Sequence, residues 1–153
     1  MKRKAFLLIG ATVAFATMAA AEVVAPGDVV FEDGGAVAQS LTGVAGDPAA
    51  GREIFANRKL GNCLACHVNA DLNEQLFHGE VGPPLDGVAD RWEEAQLRGI
   101  LVNSKNTFEG TIMPAFYRTD GLNRVLEKFQ GKTVLTAQQV EDVLAYLMTL
   151  KEE

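Results

Sequence analysis

Cysteine is nearly missing from this chain: its 153 residues hold two, Cys63 and Cys66. A single pair rules out a disulfide framework and a four-thiol zinc site. Histidine is as scarce, with His67 and His78 only. Basic charge is in deficit, 14 Lys and Arg against 20 Asp and Glu, for a formal net charge of −6. Acidity of that order, without a basic stripe, excludes a nucleic-acid binder. Sustained apolar–polar alternation is absent, so no sheet is predicted. There is no internal repeat and no low-complexity tract. Only one apolar run is long, and it lies at the amino terminus.

That run extends from Ala5 to Ala21 behind Lys2, Arg3 and Lys4. It ends in Ala19-Ala20-Ala21, a small-residue cleavage site, so it reads as a secretory signal with the mature start at Glu22. As a membrane anchor it sits at the short limit for a span. The product is expected to be exported and soluble, with no membrane association after cleavage. The leader carries cations and no anion, so the mature chain is more acidic still.

The two cysteines are not scattered. Cys63-Leu64-Ala65-Cys66-His67 places a histidine directly after the second thiol. This is the attachment signature of a c-type haem. Each thiol can add across one porphyrin vinyl group, and the adjacent histidine can coordinate iron. A redox dithiol would need a strand before it, and a zinc site would need further ligands. Haem c, one and covalent, is the cofactor these residues point to.

Two regions follow the signal at 1–21: an extended arm at 22–46 and a helical domain at 47–153. The arm is rich in Gly, Ala and Asp and reads as extended. Asp47 can cap and Pro48 can open a first helix carrying Ile54 and Phe55, which Gly61 is expected to end. Gly51 within it predicts close approach to another helix. Asp90 with Glu93 is expected to begin a helix bearing Trp92, Leu97, Ile100 and Leu101. Leu122, Val125, Leu126 and Phe129 predict a further helix stopped by Gly131. The last helix has a capping box, Thr136 and Gln139, and a stripe of Val140, Val143, Leu144 and Leu147. It is expected to cross the first, with Phe55 against Val143, Tyr146 and Leu147.

An electron-transfer haem needs two axial ligands. His67 is one by position. For the other, His78, Met113 and Met148 remain, and Met113 is preferred. Pro114 removes an amide donor and restricts Met113 to extended geometry, so a stiff loop can hold the thioether. Met148 lies on the core stripe of the last helix, and His78 follows His67 so closely that the chain would have to wrap the ring edge. On the proximal side, Val81-Gly82-Pro83-Pro84 can present the Pro83 carbonyl to the second nitrogen of His67.

These features together resemble class I cytochrome c, an all-α fold of about four to five helices around one covalently bound haem, here with an extended N-terminal arm. The stretches Phe55–His67, His78–Pro83, Leu85–Trp92, Met113–Tyr117 and Val140–Leu147 resemble SoxX. That family comprises the monohaem cytochrome subunits of the sulfur-oxidising SoxAX complex. The resemblance implies a periplasmic heterodimer with the larger cytochrome SoxA, which oxidatively joins thiosulfate to a cysteine of the carrier SoxYZ (L-cysteine S-thiosulfotransferase activity). It places catalysis on SoxA, with no catalytic residue on this chain. It implies that electrons leave this subunit for a soluble cytochrome c. The residues that carry over are Cys63 and Cys66 for attachment, and His67 and Met113 for iron. Two other functions compete: a free-standing periplasmic electron shuttle, and a haem-based ligand sensor or peroxidase with an open distal position.

Overall fold

The computed structural model describes residues 22–152. The secretory signal read at 1–21 lies outside the described residues. Four α-helices form the frame: α1 (Pro48–Ala56), α2 (Val88–Arg91), α3 (Glu94–Asn103) and α4 (Ala137–Leu147). Six single-turn 3-10 helices and irregular segments join them, and no strand occurs among the described residues.

Local chemistry sets the ends of these helices. The Asp47 side chain accepts from the Ala49 N–H at 2.9 Å, and Pro48 takes the first-turn position where its missing donor costs nothing. In α4 the capping box is complete. Thr136 Oγ1 accepts from Gln139 N, and the Gln139 side chain accepts from Thr136 N.

Helices α1 and α4 pack directly on each other. A Cβ built on Gly51 would collide with the Asp142 carbonyl and stand 2.9 Å from Tyr146 Cβ. Only a residue without a side chain permits that approach. One turn on, Phe55 meets Tyr146 edge to face, with ring centroids 5.5 Å apart. The core around them gathers Leu72, Leu97, Leu101, Val140, Val143 and Leu147, all buried.

Three expectations are corrected. Helix α1 ends at Ala56, well before Gly61, because Asn57 turns the chain and its N–H closes onto Glu53 and Ile54. Trp92 is not helical. It is the extended residue between α2 and α3, and the capping box that starts α3 is Glu93 with Gln96 rather than Asp90 with Glu93. The helix expected over Leu122–Phe129 is absent apart from one turn, Glu127–Phe129. Leu122, Leu126 and Phe129 are exposed, and Arg124 has a left-handed backbone (φ 60°). The segment has helical periodicity but no surface to bury it against, and short helices rarely form without one.

Residues 22–46 lie along the body of the domain. Val37 and Leu41 are fully buried. Arg98 of α3 donates to the Val37 carbonyl at 3.0 Å, and Glu141 of α4 accepts from Leu41 N at 2.7 Å. Arg98 and Glu141 also pair with each other at 3.0 Å, both side chains buried. Burial alone would lower the Arg98 guanidinium. Hydrogen bonds and charge from Glu141, helped by Glu94, hold it above its usual value.

Candidate functional site

The chain leaving α1 coils at Asn57, whose carbonyl accepts from both Leu60 N and Asn62 N at 3.0 Å. Asn62 is left-handed (φ 51°), a conformation asparagine tolerates better than most residues. A single turn follows over Cys63–Ala65, and the Cys63 carbonyl accepts from Cys66 N at 3.1 Å and His67 N at 3.0 Å. Residues i, i+3 and i+4 of a turn share a face. The spacing of the motif therefore projects both thiols and the imidazole together.

A second segment lies along this turn. Gly79 N donates to Leu64 O, Gly82 N to Cys66 O at 2.7 Å, and Leu85 N to Val68 O. Gly82 passes so close to the imidazole that a Cβ there would stand 2.7 Å from His67 Nδ1 and 2.8 Å from Nε2. Beyond it, Pro83 O lies 2.7 Å from His67 Nδ1. The carbonyl can only accept, so Nδ1 carries the proton and Nε2 keeps its lone pair.

Cys63, Cys66, His67, Pro83 and Met113 all line one cavity of about 590 Å³. Its walls come from Phe55, from Leu97, Ile100 and Leu101 of α3, and from Val143 and Leu147 of α4. Trp92 and Phe108, stacked edge to face at 5.7 Å, complete it. No Asp or Glu lines the cavity; Arg58 and Lys59 supply cations. The Cys63 residue is only half-exposed, and burial of its thiol pushes it up to about 12. The thiols form no disulfide.

The three candidates for the second axial ligand separate here. Met113 lines the cavity, and neither His78 nor Met148 does. His78 has both ring nitrogens engaged elsewhere: Nε2 donates to Leu72 O at 3.1 Å and Nδ1 accepts from Asn69 N at 3.4 Å. Met148 packs on the core beside α4.

Helix α3 carries the methionine segment. Its C-terminal carbonyls, which have no partner within the helix, accept from outside: Leu101 O from Phe116 N, and Val102 O from Tyr117 N. Ser104 Oγ donates to Met113 O at 2.8 Å, Lys105 Nζ donates to the same oxygen, and Thr111 Oγ1 accepts from Met113 N at 3.2 Å. Sequence reasoning missed these groups. Their only signal was a polar pair directly after the α3 stripe. It also missed Arg58 and Lys59 as cavity residues.

A polar chain supports the proximal segment. Asn69, fully buried, donates to Tyr146 Oη at 2.8 Å, and Tyr146 donates to Asp71 at 2.7 Å. Arg52 closes the chain on Asp71 at 2.8 Å. Burial, then the hydrogen bond to Asp71, raises the Tyr146 phenol far above its usual value. The Arg52 hydrogen bond, then that from Tyr146, holds Asp71 below the ordinary carboxylate range.

This donor set fits a haem. Paired thiols on one turn suit two thioether bonds, and an imidazole with a free Nε2 suits iron. An apolar cavity free of carboxylates, with cations among its lining residues, suits a flat macrocycle bearing acidic side arms. Among the described residues no group of three or more His, Cys, Asp or Glu is arranged to hold a metal ion directly. No helix among them is long and apolar enough to cross a membrane.

Comparison with known proteins agrees with that fit. The cytochrome c family profile matches residues 48–151. One chain of the SoxXA crystal structure from P. pantotrophus is 52% identical, with a TM-score of 0.78, over 84% of this chain and 98% of that one. The c-type cytochrome SorU from Sinorhizobium meliloti is 28% identical over 68% of this chain and 90% of its own, and its TM-score of 0.45 adds nothing to the fold. No curated protein matches. The cofactor is one covalently attached haem c. With its helical frame, its motif and these matches, the chain belongs to the cytochrome c family and, within it, to the SoxX cytochromes.

Proposed function

We propose that this chain is the monohaem electron-transfer subunit of a SoxAX complex, held to a SoxA cytochrome as a heterodimer. In that role it is exported to the periplasm with its signal removed after Ala21. It takes electrons released when the complex joins thiosulfate to the SoxYZ carrier cysteine and passes them to a soluble cytochrome c. The observation that carries this reading is the single cavity that gathers Cys63, Cys66, His67 and Met113. The 52% identity to a chain of a SoxXA structure supports the choice of complex.

Haem supplies one-electron chemistry when bound, and the chain's residues set its terms. Cys63 and Cys66 hold it by thioether bonds. His67 gives Nδ1–H to Pro83 O and offers Nε2 to iron; this bond fixes the tautomer and makes the ring a better donor. Met113 offers its thioether, which favours the reduced metal relative to a second histidine. Apolar walls from α3 and α4 keep water from the site and raise the potential further. With both thiols consumed the chain keeps no cysteine thiol to act as nucleophile, so the cysteine-based conjugation chemistry belongs to the partner.

The test combines spectrum and assembly. Mature protein from a host with haem-maturation machinery is expected to show a reduced c-type spectrum and a mass increased by one haem. It is expected to co-elute with SoxA in size-exclusion and to show no thiosulfate conjugation alone. A colourless product of bare polypeptide mass would refute the redox role. A coloured monomer that never associates would refute the subunit role and leave a free shuttle.

A further inference from the structure

The peptide group of Met113 has side-chain partners on both sides. Its N–H goes to Thr111 Oγ1, and its carbonyl accepts from Ser104 Oγ and Lys105 Nζ. Pro114 follows and has no N–H to offer. Ser104 is fully buried at the end of α3, and its own carbonyl accepts from Thr107 N and Phe108 N at 3.2 and 2.9 Å. One residue thus ties the turn after α3 to the methionine. On the other flank Phe116 and Tyr117 are tied to Leu101 and Val102. Between these anchors the loop bulges outward, with Gly110 left-handed and Ile112 exposed. Without the Ser104 bond, Met113 would hang from an exposed lysine and its own turn.

We propose that Ser104 is a positioning residue of the redox site: its hydroxyl holds the Met113 carbonyl, so that the thioether stays committed to iron and the sixth position stays closed to other ligands. This rests on the reading of Met113 as an axial ligand. A detached methionine is a minor state whose population sets the apparent affinity of any exogenous ligand. Removing one net hydrogen bond that exists only in the attached state raises that population about fivefold to tenfold.

The experiment titrates the ferric, haem-loaded mature protein with imidazole and follows the sulfur-to-iron charge-transfer band, with far-UV melting in parallel. Ser104→Ala is expected to bind imidazole about fivefold to tenfold more tightly at temperatures where the helices remain intact. Ser104→Thr, which keeps the hydroxyl, is expected to return the affinity to within about twofold of the parent. Wild-type imidazole affinity in a folded Ser104→Ala protein would overturn the proposal, as would a rise that Ser104→Thr does not reverse. Lys105 is exposed, so Lys105→Ala leaves the core packing intact. It removes the second donor and is expected to tighten imidazole about twofold. If Ser104→Ala does not fold, unchanged affinity in Lys105→Ala overturns the carbonyl clamp. Met113→Ala separates the two readings. Loss of the band there with wild-type behaviour in Ser104→Ala removes only this inference, whereas persistence of the band removes the ligand assignment itself.

Discussion

Gly82→Ala tests whether the proximal imidazole is clamped. Pro83 O anchors the His67 ring at Nδ1, and under the proposed ligation iron would anchor it at Nε2. It cannot swing away as a free surface side chain would. A Cβ on Gly82 would press on three ring atoms at once, Nδ1 and Nε2 at 2.7 and 2.8 Å and Cε1 closer still. Real Cβ contacts essentially never fall under 3.0 Å. Either the ring shifts or residue 82 withdraws and loses its N–H bond to Cys66 O. Overpacking of this kind costs about 1–3 kcal/mol, and a lost backbone hydrogen bond adds about 1 kcal/mol. A total of about 2–4 kcal/mol in a domain of this size lowers Tm by roughly 8–16 °C. The assay is thermal melting of the holoprotein, with the Soret band and reduction potential recorded below the transition. Gly27→Ala is the control, because no atom lies within 4 Å of a Cβ there. A Gly82→Ala protein that melts and absorbs like the control would refute the clamp.

Gly51→Ala should be destabilising by about 1–3 kcal/mol although alanine is the better helix former, because the new methyl meets the α4 backbone at Asp142; denaturant titration that finds it neutral or stabilised would show that α1 and α4 can part freely. Glu141→Ala takes the buried partner from Arg98, leaving it only the exposed Glu94 carboxylate, and frees Leu41 N, so a loss of about 3 kcal/mol is expected. Limited proteolysis should then cut within 22–46 first, and an arm that stays protected would refute its attachment through this pair. Asp71 titrates below its ordinary 3.8 because Arg52 and Tyr146 favour the carboxylate. Its contribution is therefore full above that value and is lost as pH falls through the lower folded value. Asp71→Asn should lower stability at neutral pH and flatten the acid limb of the pH–stability curve; an unchanged acid limb would discount the pair.

The parts of the fold legible in the sequence were those set by local rules with one partner. Asp47 with Pro48, and Thr136 with Gln139, cap helices through atoms a few residues away. Gly51 was read as a contact point because a mid-helix glycine has a cost that only close packing offsets. The Pro83 carbonyl was foreseen from turn chemistry, and it does meet His67. Periodicity alone failed over Leu122–Phe129, where the stripe exists but nothing covers it. Arg98 and Glu141 looked like surface charges, since nothing in a single sequence pairs residues on two distant helices. Ser104 was invisible for the same reason: a buried hydroxyl on a distant carbonyl leaves no spacing rule.

The Leu41–Glu141 bond spans 100 residues, and α1 meets α4 across most of the domain. Closing so long a loop is entropically slow, and the stabilising contacts come only at the end. A chain emerging amino terminus first therefore cannot lock its arm or seat its opening helix until its last helix has arrived. The Cys63–His67 turn precedes α4 in the chain, so its thiols are exposed until that last helix closes the cavity over them.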